Sequence, residues 1–282
     1  MDKLNMLSFD IEDWYHANYQ QVDMSACRSR SFHFRENMHR LLEICALNNA
    51  KATFFTLGTI AEDFPDVVRE IVAQGHELAS HGYSHELAYK QTESEFKADV
   101  QKSITILEDV SAVKIKGYRA PSWSIIKENL HYLEILQDLG LEYDASIFPV
   151  KTFLYGIPDA PQKIHQPLVN GRQLQIYEVP MSVQSVLGKT IGYSGGFYLR
   201  LFPEFLIKYF IKANLSKDKY TILYLHPREL DPTEQRLELP FLENLIHYYN
   251  IDSTAGKLHN LLTQSKFVSI SEYLDGRKNT LC

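Results

Sequence analysis

The sequence predicts an α/β fold in which a parallel sheet or barrel is wrapped by helices. Three observations carry that prediction. Short apolar runs alternate with stretches whose apolar residues recur at helical spacing. Glycine or proline punctuates the joins between them. Polar, titratable residues collect where the apolar runs end, which is where barrels and open α/β sheets place their sites.

In order, NMLSFDI reads as a short buried strand ending directly on Asp10, Glu12 and Asp13. FRENMHRLLEICALNN reads as a helix, and ATFFTLG as a second strand closed by Gly58. DFPDVVREIVAQG has the marks of a helix: an acidic first turn, Pro65 early, and Gly75 at its stop. HELASHG is a third strand running into a loop with His81 and His85. The alternation continues with SEFKADVQKSITILEDV as helix, IKGYRAP as strand, ENLHYLEILQDLG as helix closed by Gly140, and LEYDASIF as strand. Between Pro149 and Ser194 the rhythm breaks into a β-rich insertion and loop. PEFLIKYFIKANL then restores helix and TILYLHP restores strand, before a helical stretch over Pro240–Leu274 that ends near the apolar patch KFVSI. With no internal repeat and no linker composition, residues 1–282 read as a single domain.

The 282 residues suffice for one large core, and 45% hydrophobic with 23% charged residues is a soluble globular balance. A net charge of -6 lacks the basic footprint of a nucleic-acid partner. Cys27, Cys45 and Cys282 are odd in number and far apart, so neither a disulfide framework nor a thiolate metal site is indicated. The N-terminal apolar run is too short for a signal peptide or a transmembrane segment, and a cytoplasmic location is the expectation. The 12% aromatic content suits a packed core first and a sugar-stacking groove second.

Several residues have the chemistry of a hydrolytic site. His81 and His85 lie four apart, a spacing that on a helical turn sets both imidazoles on one face, within reach of one ion. Two imidazoles and one carboxylate would leave a coordination position open for water. The cluster Asp10, Glu12 and Asp13 has carboxylates enough for two roles, one to ligate metal and one to deprotonate that water. His226 ends an apolar strand and could protonate a departing amine. Asp144 could orient His226 and keep it charged, and Arg119 could face the base carboxylate in a forked ion pair. Pro121 and Trp123 would shape the groove wall. Each residue alone has a plain structural reading as a cap, a solvated acid or a turn residue. Five separate strand ends delivering such groups is what points to a site.

The ordered set SFDIED, SHGYSH, GYRAPSWS, DASIFP and LYLHP resembles the five motifs of the polysaccharide deacetylases, the NodB-homology or carbohydrate esterase family 4 proteins. The segments SGGFYLRLFP, LHPRELDP and LENLIHYYNIDSTAGKLHNLL are similar to a subfamily found with bacterial exopolysaccharide gene clusters. The resemblance implies a distorted (β/α) barrel with fewer strands than the eightfold form, a β-rich insertion and C-terminal helices. It implies a metal-dependent hydrolase that removes N-acetyl groups from an amino sugar in a bacterial surface polysaccharide or its precursor. One divalent metal is implied, zinc in the first place, with Co2+, Ni2+ or Mn2+ as substitutes, and an N-acetylated carbohydrate is the implied partner.

Carried over by resemblance, Asp10 matches the catalytic base, His81 and His85 the metal histidines, and Arg119 the arginine that positions the base. Asp144 matches the aspartate that tunes the catalytic histidine, and His226 matches that general acid. His76 reads as a structural neighbour. The usual adjacent pair of aspartates is replaced here by Asp-Ile-Glu-Asp. Asp13 is taken as the metal ligand, with the extra residues absorbed as the strand turns. Glu12 stays open as the alternative, because strand alternation puts it on the same face as Asp10. Two rival functions remain on the same scaffold: hydrolysis of a non-sugar amide, and carbohydrate binding without catalysis.

Overall fold

The computed structural model describes residues 4–16, 33–150, 152, 155–233, 236 and 239–281. The strands are β1 (Asn5–Ile11), β2 (Thr53–Thr56), β3 (Glu77–Ser80), β4 (Gly117–Tyr118), β5 (Tyr143–Asp144), β6 (Leu168–Val169), β7 (Arg172–Gln173), β8 (Tyr177–Glu178), β9 (Val183–Val186), β10 (Lys189–Gly192), β11 (Ile222–Leu225) and β12 (Phe267–Val268). The helices are α1 (Phe34–Leu47), α2 (Gly58–Asp63), α3 (Pro65–Ala73), α4 (Glu93–Ser111), α5 (Tyr132–Asp138), α6 (Gly196–Leu201), α7 (Glu204–Ser216), α8 (Phe241–Tyr248), α9 (Thr254–Leu262) and α10 (Ile270–Leu281).

One parallel sheet runs in the order β11-β1-β2-β3-β4-β5-β8, with β12 pairing beside the start of β1. The hairpins β6–β7 and β9–β10 form separate two-stranded sheets within the insertion. The strand–helix rhythm therefore yields the expected barrel-like α/β fold. Some local readings differ. Gly58 does not merely close β2 but begins the short helix α2. The patch KFVSI contributes β12 to the main sheet. β4 and β5 shrink to two residues each.

Side-chain alternation along the strands decides what enters the barrel. Leu7, Phe9 and Ile11 of β1 belong to a core shared with α1, α7 and α9, whereas Met6 belongs to the interior cluster with Phe55 of β2, Ala79 of β3 and Tyr224 of β11. Ser8 and Asp10 share the parity of Met6, so β1 sends its acid inward. On β3 the outward residue is Leu78, which packs in the α4–α5 core, and Ser80 Oγ meets Ser103 Oγ of α4 at 2.8 Å. His81 follows with the opposite, inward parity. On β11, Leu223 and Leu225 pack outward while Ile222 and Tyr224 pack inward, and His226 continues the inward series. The site is thus composed before any ligand chemistry is considered.

Candidate active site

The same alternation settles where the acids after β1 go. Glu12, two residues beyond Asp10, keeps the inward parity, and its N–H donates to Asp10 O at 3.1 Å. Carboxylate and imidazole atoms of Glu12, His81 and His85 lie within 4.8 Å of one another, all three residues buried. Asp13, the expected metal ligand, lies outside this group: its Oδ1 accepts the Trp14 N–H at 2.8 Å and its own N–H donates to His16 Nδ1 at 3.0 Å. Glu12 takes the place because its longer side chain starts from the inward face, while Asp13 starts the turn of the 3-10 helix Trp14–His16.

His81 and His85 do not sit on a helical turn. They converge through a tight loop in which Gly82 has φ 81° and His85 has φ 64°. A left-handed non-glycine backbone is uncommon and costs energy, so the surrounding bonds must impose it. They do so from several sides. Gly58 N–H and Thr59 N–H, at the start of α2, donate to the carbonyls of Gly82 and Tyr83 at 3.0 Å each. Tyr83 N–H donates to Asp99 Oδ2 of α4 at 2.9 Å. A side chain at Gly82 would be strained by the positive φ and would also meet Asp99 Oδ2 at 2.9 Å.

The donor set fits a divalent metal. His81 Nδ1 donates to the Arg119 carbonyl at 2.8 Å, which leaves Nε2 as the lone-pair donor. Burial lowers the His81 pKa to about 4, so the imidazole is neutral, as a ligand must be. His85 Nε2 approaches Glu12 Oε2 at 2.5 Å. Glu12 Oε2 is buried and receives no hydrogen bond of ordinary geometry from the described residues. Burial pushes the Glu12 carboxyl up, but His85 and His226 outweigh it and hold its pKa well below the usual range. An ionised, buried carboxylate against two imidazoles is a set that a cation completes.

Around this group stand Asp10, Arg119 and His226. Arg119 is fully buried and its Nη1 donates to Asp10 Oδ1 at 2.6 Å. The contact is not forked: Nη1 also reaches Ser8 Oγ at 3.0 Å, while Nε donates to Ala145 O at 3.2 Å. The guanidinium lies 4.1 Å from the Phe55 ring centroid, which adds a cation–π contact. His226 Nε2 is 3.3 Å from Glu12 Oε1. Burial disfavours charge on His226, yet Glu12 and Glu229 prevail and raise its pKa. Trp123 packs against Tyr224 at 4.7 Å between centroids, and Tyr224 stands 5.9 Å from the His226 ring. Trp123 is mostly buried, so it supports the groove wall more than it lines it.

Asp144 does not reach His226. Tyr143 and Ala145 point into the interior cluster, so Asp144 takes the other face together with its register partner Glu178. Its Oδ1 accepts from Ser146 Oγ at 2.6 Å and its Oδ2 from Ser146 N–H at 3.0 Å. Burial raises both carboxyls, and the neighbouring Asp144 charge drives Glu178 well above the usual range, so Glu178 holds the proton that the pair shares. The residue that meets His226 Nδ1 is Glu229, at 2.9 Å. Glu229, its partner Arg200, and Glu178 were not singled out from sequence. The i, i+3 spacing of His226 and Glu229 in LHPRE was the available signal. His76, read as a structural neighbour, is outside the metal group: its Nδ1 accepts the Ala52 N–H at 3.3 Å and its ring lies 4.9 Å from that of Phe54. Cys45 is a free buried thiol, and Cys27 and Cys282 lie outside the described residues.

Comparison with known proteins places these features. The family model for polysaccharide deacetylase matches residues 6–143, and that for a domain of unknown function, DUF3473, matches residues 145–275. The peptidoglycan deacetylase of Helicobacter pylori is 29% identical over 152 residues, 50% of this chain and 51% of that protein. The peptidoglycan-N-acetylglucosamine deacetylase of Bacillus cereus is 34% identical over 93 residues, 33% of this chain and 34% of that protein. The chain thus spans about half the length of these curated relatives, or less. Among solved structures, a Mycobacterium smegmatis protein described as a polysaccharide deacetylase superposes with TM-score 0.61 at 17% identity, covering 98% of this chain and 91% of that one. The peptidoglycan deacetylase PdaC of Bacillus subtilis superposes with TM-score 0.53 at 12% identity, covering 99% and 93%. At such identities the likeness is one of fold.

Proposed function

Since residues 6–143 are a polysaccharide deacetylase domain, we propose that this chain is a metal-dependent hydrolase that removes the N-acetyl group from an amino sugar of a bacterial polysaccharide or its precursor. The observation that carries the reading is the convergence of Glu12, His81 and His85 with the Asp10–Arg119 pair and His226 at the ends of strands of one sheet. The relatives named as peptidoglycan and chitooligosaccharide deacetylases support an N-acetylhexosamine as the acetyl donor.

Glu12, His81 Nε2 and His85 would hold the divalent ion, zinc by the chemistry of a two-histidine, one-carboxylate set. Held there, it would supply Lewis acidity towards the acetyl carbonyl and a lowered pKa for an attacking water. Asp10 takes the proton of that water, with Arg119 fixing its carboxylate through Oδ1. His226, charged through its carboxylate neighbours, gives a proton to the departing amine from Nε2, the nitrogen that faces Glu12. The amide C–N bond breaks and acetate leaves. Beside the site, the N–H groups of Arg119 and Ala120 are taken by Ser80 O and Ser146 Oγ, and Pro121 has none, so these three offer no donor to a developing oxyanion.

Acetate release from N-acetylglucosamine oligomers by purified protein, stripped of metal and re-supplied with zinc or cobalt, tests the proposal. Release only with metal, reduced by about 10²–10⁴ in His226→Ala, is the expected result. Undiminished release from the His226→Ala or Asp10→Ala protein would refute the assigned chemistry.

A further inference from the structure

The second half of the chain matches a family without an assigned role, and its side chains converge on the catalytic histidine. Glu229 is fully buried. Its Oε2 accepts from both His226 Nδ1, at 2.9 Å, and the His226 backbone N–H, at 3.0 Å. Its Oε1 accepts from Arg200 Nε at 2.8 Å. Arg200, at 1% exposure, spends its other nitrogens on the end of α8: Nη1 on His247 O at 3.1 Å and Tyr249 O at 2.8 Å, Nη2 on Ile246 O at 2.7 Å.

We infer that Arg200 and Glu229 are positioning residues for His226, and that the 145–275 region serves the reaction by supplying them. The role expected of Asp144 is filled from a different element. Both oxygens of Glu229 are held, so the carboxylate cannot swing, and the imidazole bonded to it cannot flip without losing Nδ1–H···Oε2. That bond places the proton on Nδ1 and leaves Nε2 as the atom facing Glu12 at 3.3 Å. Arg200 sits where an arginine binds best, forked over the last carbonyls of a helix. The docking of α8 thereby fixes the orientation of a side chain in the barrel mouth. A carboxylate three residues after the histidine does this with a shorter lever than one reaching from another strand, because His226 caps the 3-10 helix Pro227–Leu230 that carries Glu229.

The kinetic half of the test rests on the deacetylase reading, and the spectroscopic half does not. In Glu229→Gln, metal-loaded full-length protein is expected to lose about 10- to 100-fold in kcat on N-acetylglucosamine pentamer, with KM within about twofold. Arg200→Lys keeps the charge but not the fork and is expected to lose kcat in the same direction. In metal-free protein at alkaline pH, where the imidazole is neutral, long-range 1H–15N spectra should show His226 protonated at Nδ1. In Glu229→Gln that preference should fall towards the Nε2 tautomer common in free histidine. Wild-type kcat in the variants, or an unchanged His226 tautomer in Glu229→Gln, overturns the inference. If the wild-type protein releases no acetate from the pentamer, the tautomer alone decides, and the substrate reading fails separately. If Glu229→Gln does not fold, Arg200→Lys carries both readouts.

Discussion

Replacing Arg119 with Met should expose how strongly the base is built into the barrel. The guanidinium is fully buried and donates to Asp10 Oδ1, Ser8 Oγ and Ala145 O. Ser8 Oγ keeps its bond to Leu223 O at 3.3 Å, so its loss is small. Asp10, 3% exposed, would be left as a buried carboxylate without its cation, a change that costs about 3–5 kcal/mol. The stranded Ala145 carbonyl adds about 1 kcal/mol or more. The sum is a large part of a typical stability of about 5–15 kcal/mol. Asp10→Asn should cost less, about 2 kcal/mol, because its amide oxygen can still accept from Nη1. The double variant leaves neither charge orphaned and should cost no more than Arg119→Met alone. The cycle therefore predicts a coupling of about 2 kcal/mol between the two residues. Urea unfolding of the four metal-free proteins, followed by circular dichroism, gives each value. Additive costs within about 0.5 kcal/mol would show that Arg119 serves Asp10 no more than it serves the rest of the barrel.

Two further outcomes follow from the geometry. Glu12→Gln should weaken zinc binding by more than about 100-fold, beyond the effect of losing an outer-shell partner, whereas Asp13→Asn should change it by only a few-fold; calorimetric titration decides, and the reverse order would restore Asp13 as the ligand. Glu178 has a folded pKa well above its unfolded value, so the stability it contributes is full below the unfolded pKa of about 4.5 and is lost as pH rises towards the folded pKa. Glu178→Gln, whose amide can replace the shared proton in bonding Asp144, should therefore gain stability relative to wild type between pH 5 and pH 8; thermal unfolding showing no pH-dependent difference would refute the shared proton.

Much of this molecule is legible in its sequence because strand parity is strict. The strands β1, β2, β3 and β11 and the helices α1, α3, α4 and α7 follow from apolar spacing, and four of the five strand ends bring Asp10, His81, Arg119 and His226 together. Parity also marks Glu12 as inward, and the choice of Asp13 set that rule aside in favour of a more flexible turn. Asp144 is the same lesson on another strand: its neighbours Tyr143 and Ala145 face inward, so it cannot. What spacing could not give is backbone chirality in the His81–His85 loop, since left-handed φ at His85 is imposed by α2 and α4 and not by its own residue type. Nor could it show Arg200, whose carbonyl partners lie some fifty residues away, on the end of a helix reached only through tertiary packing.

The place of β1 in the sheet has a consequence for how the chain matures. Its neighbours are β2, β11 and β12, so the strand bearing Asp10 is completed by Ile222–Leu225 and Phe267–Val268. Contacts of such sequence separation form late, since loop closure must precede them. During synthesis the first helices can form and β2 can pair with β3, but the acidic end of β1 lacks one flank until Ile222–Leu225 has left the ribosome. A product truncated before Ile222 would leave the ribosome with an open sheet edge beside Asp10.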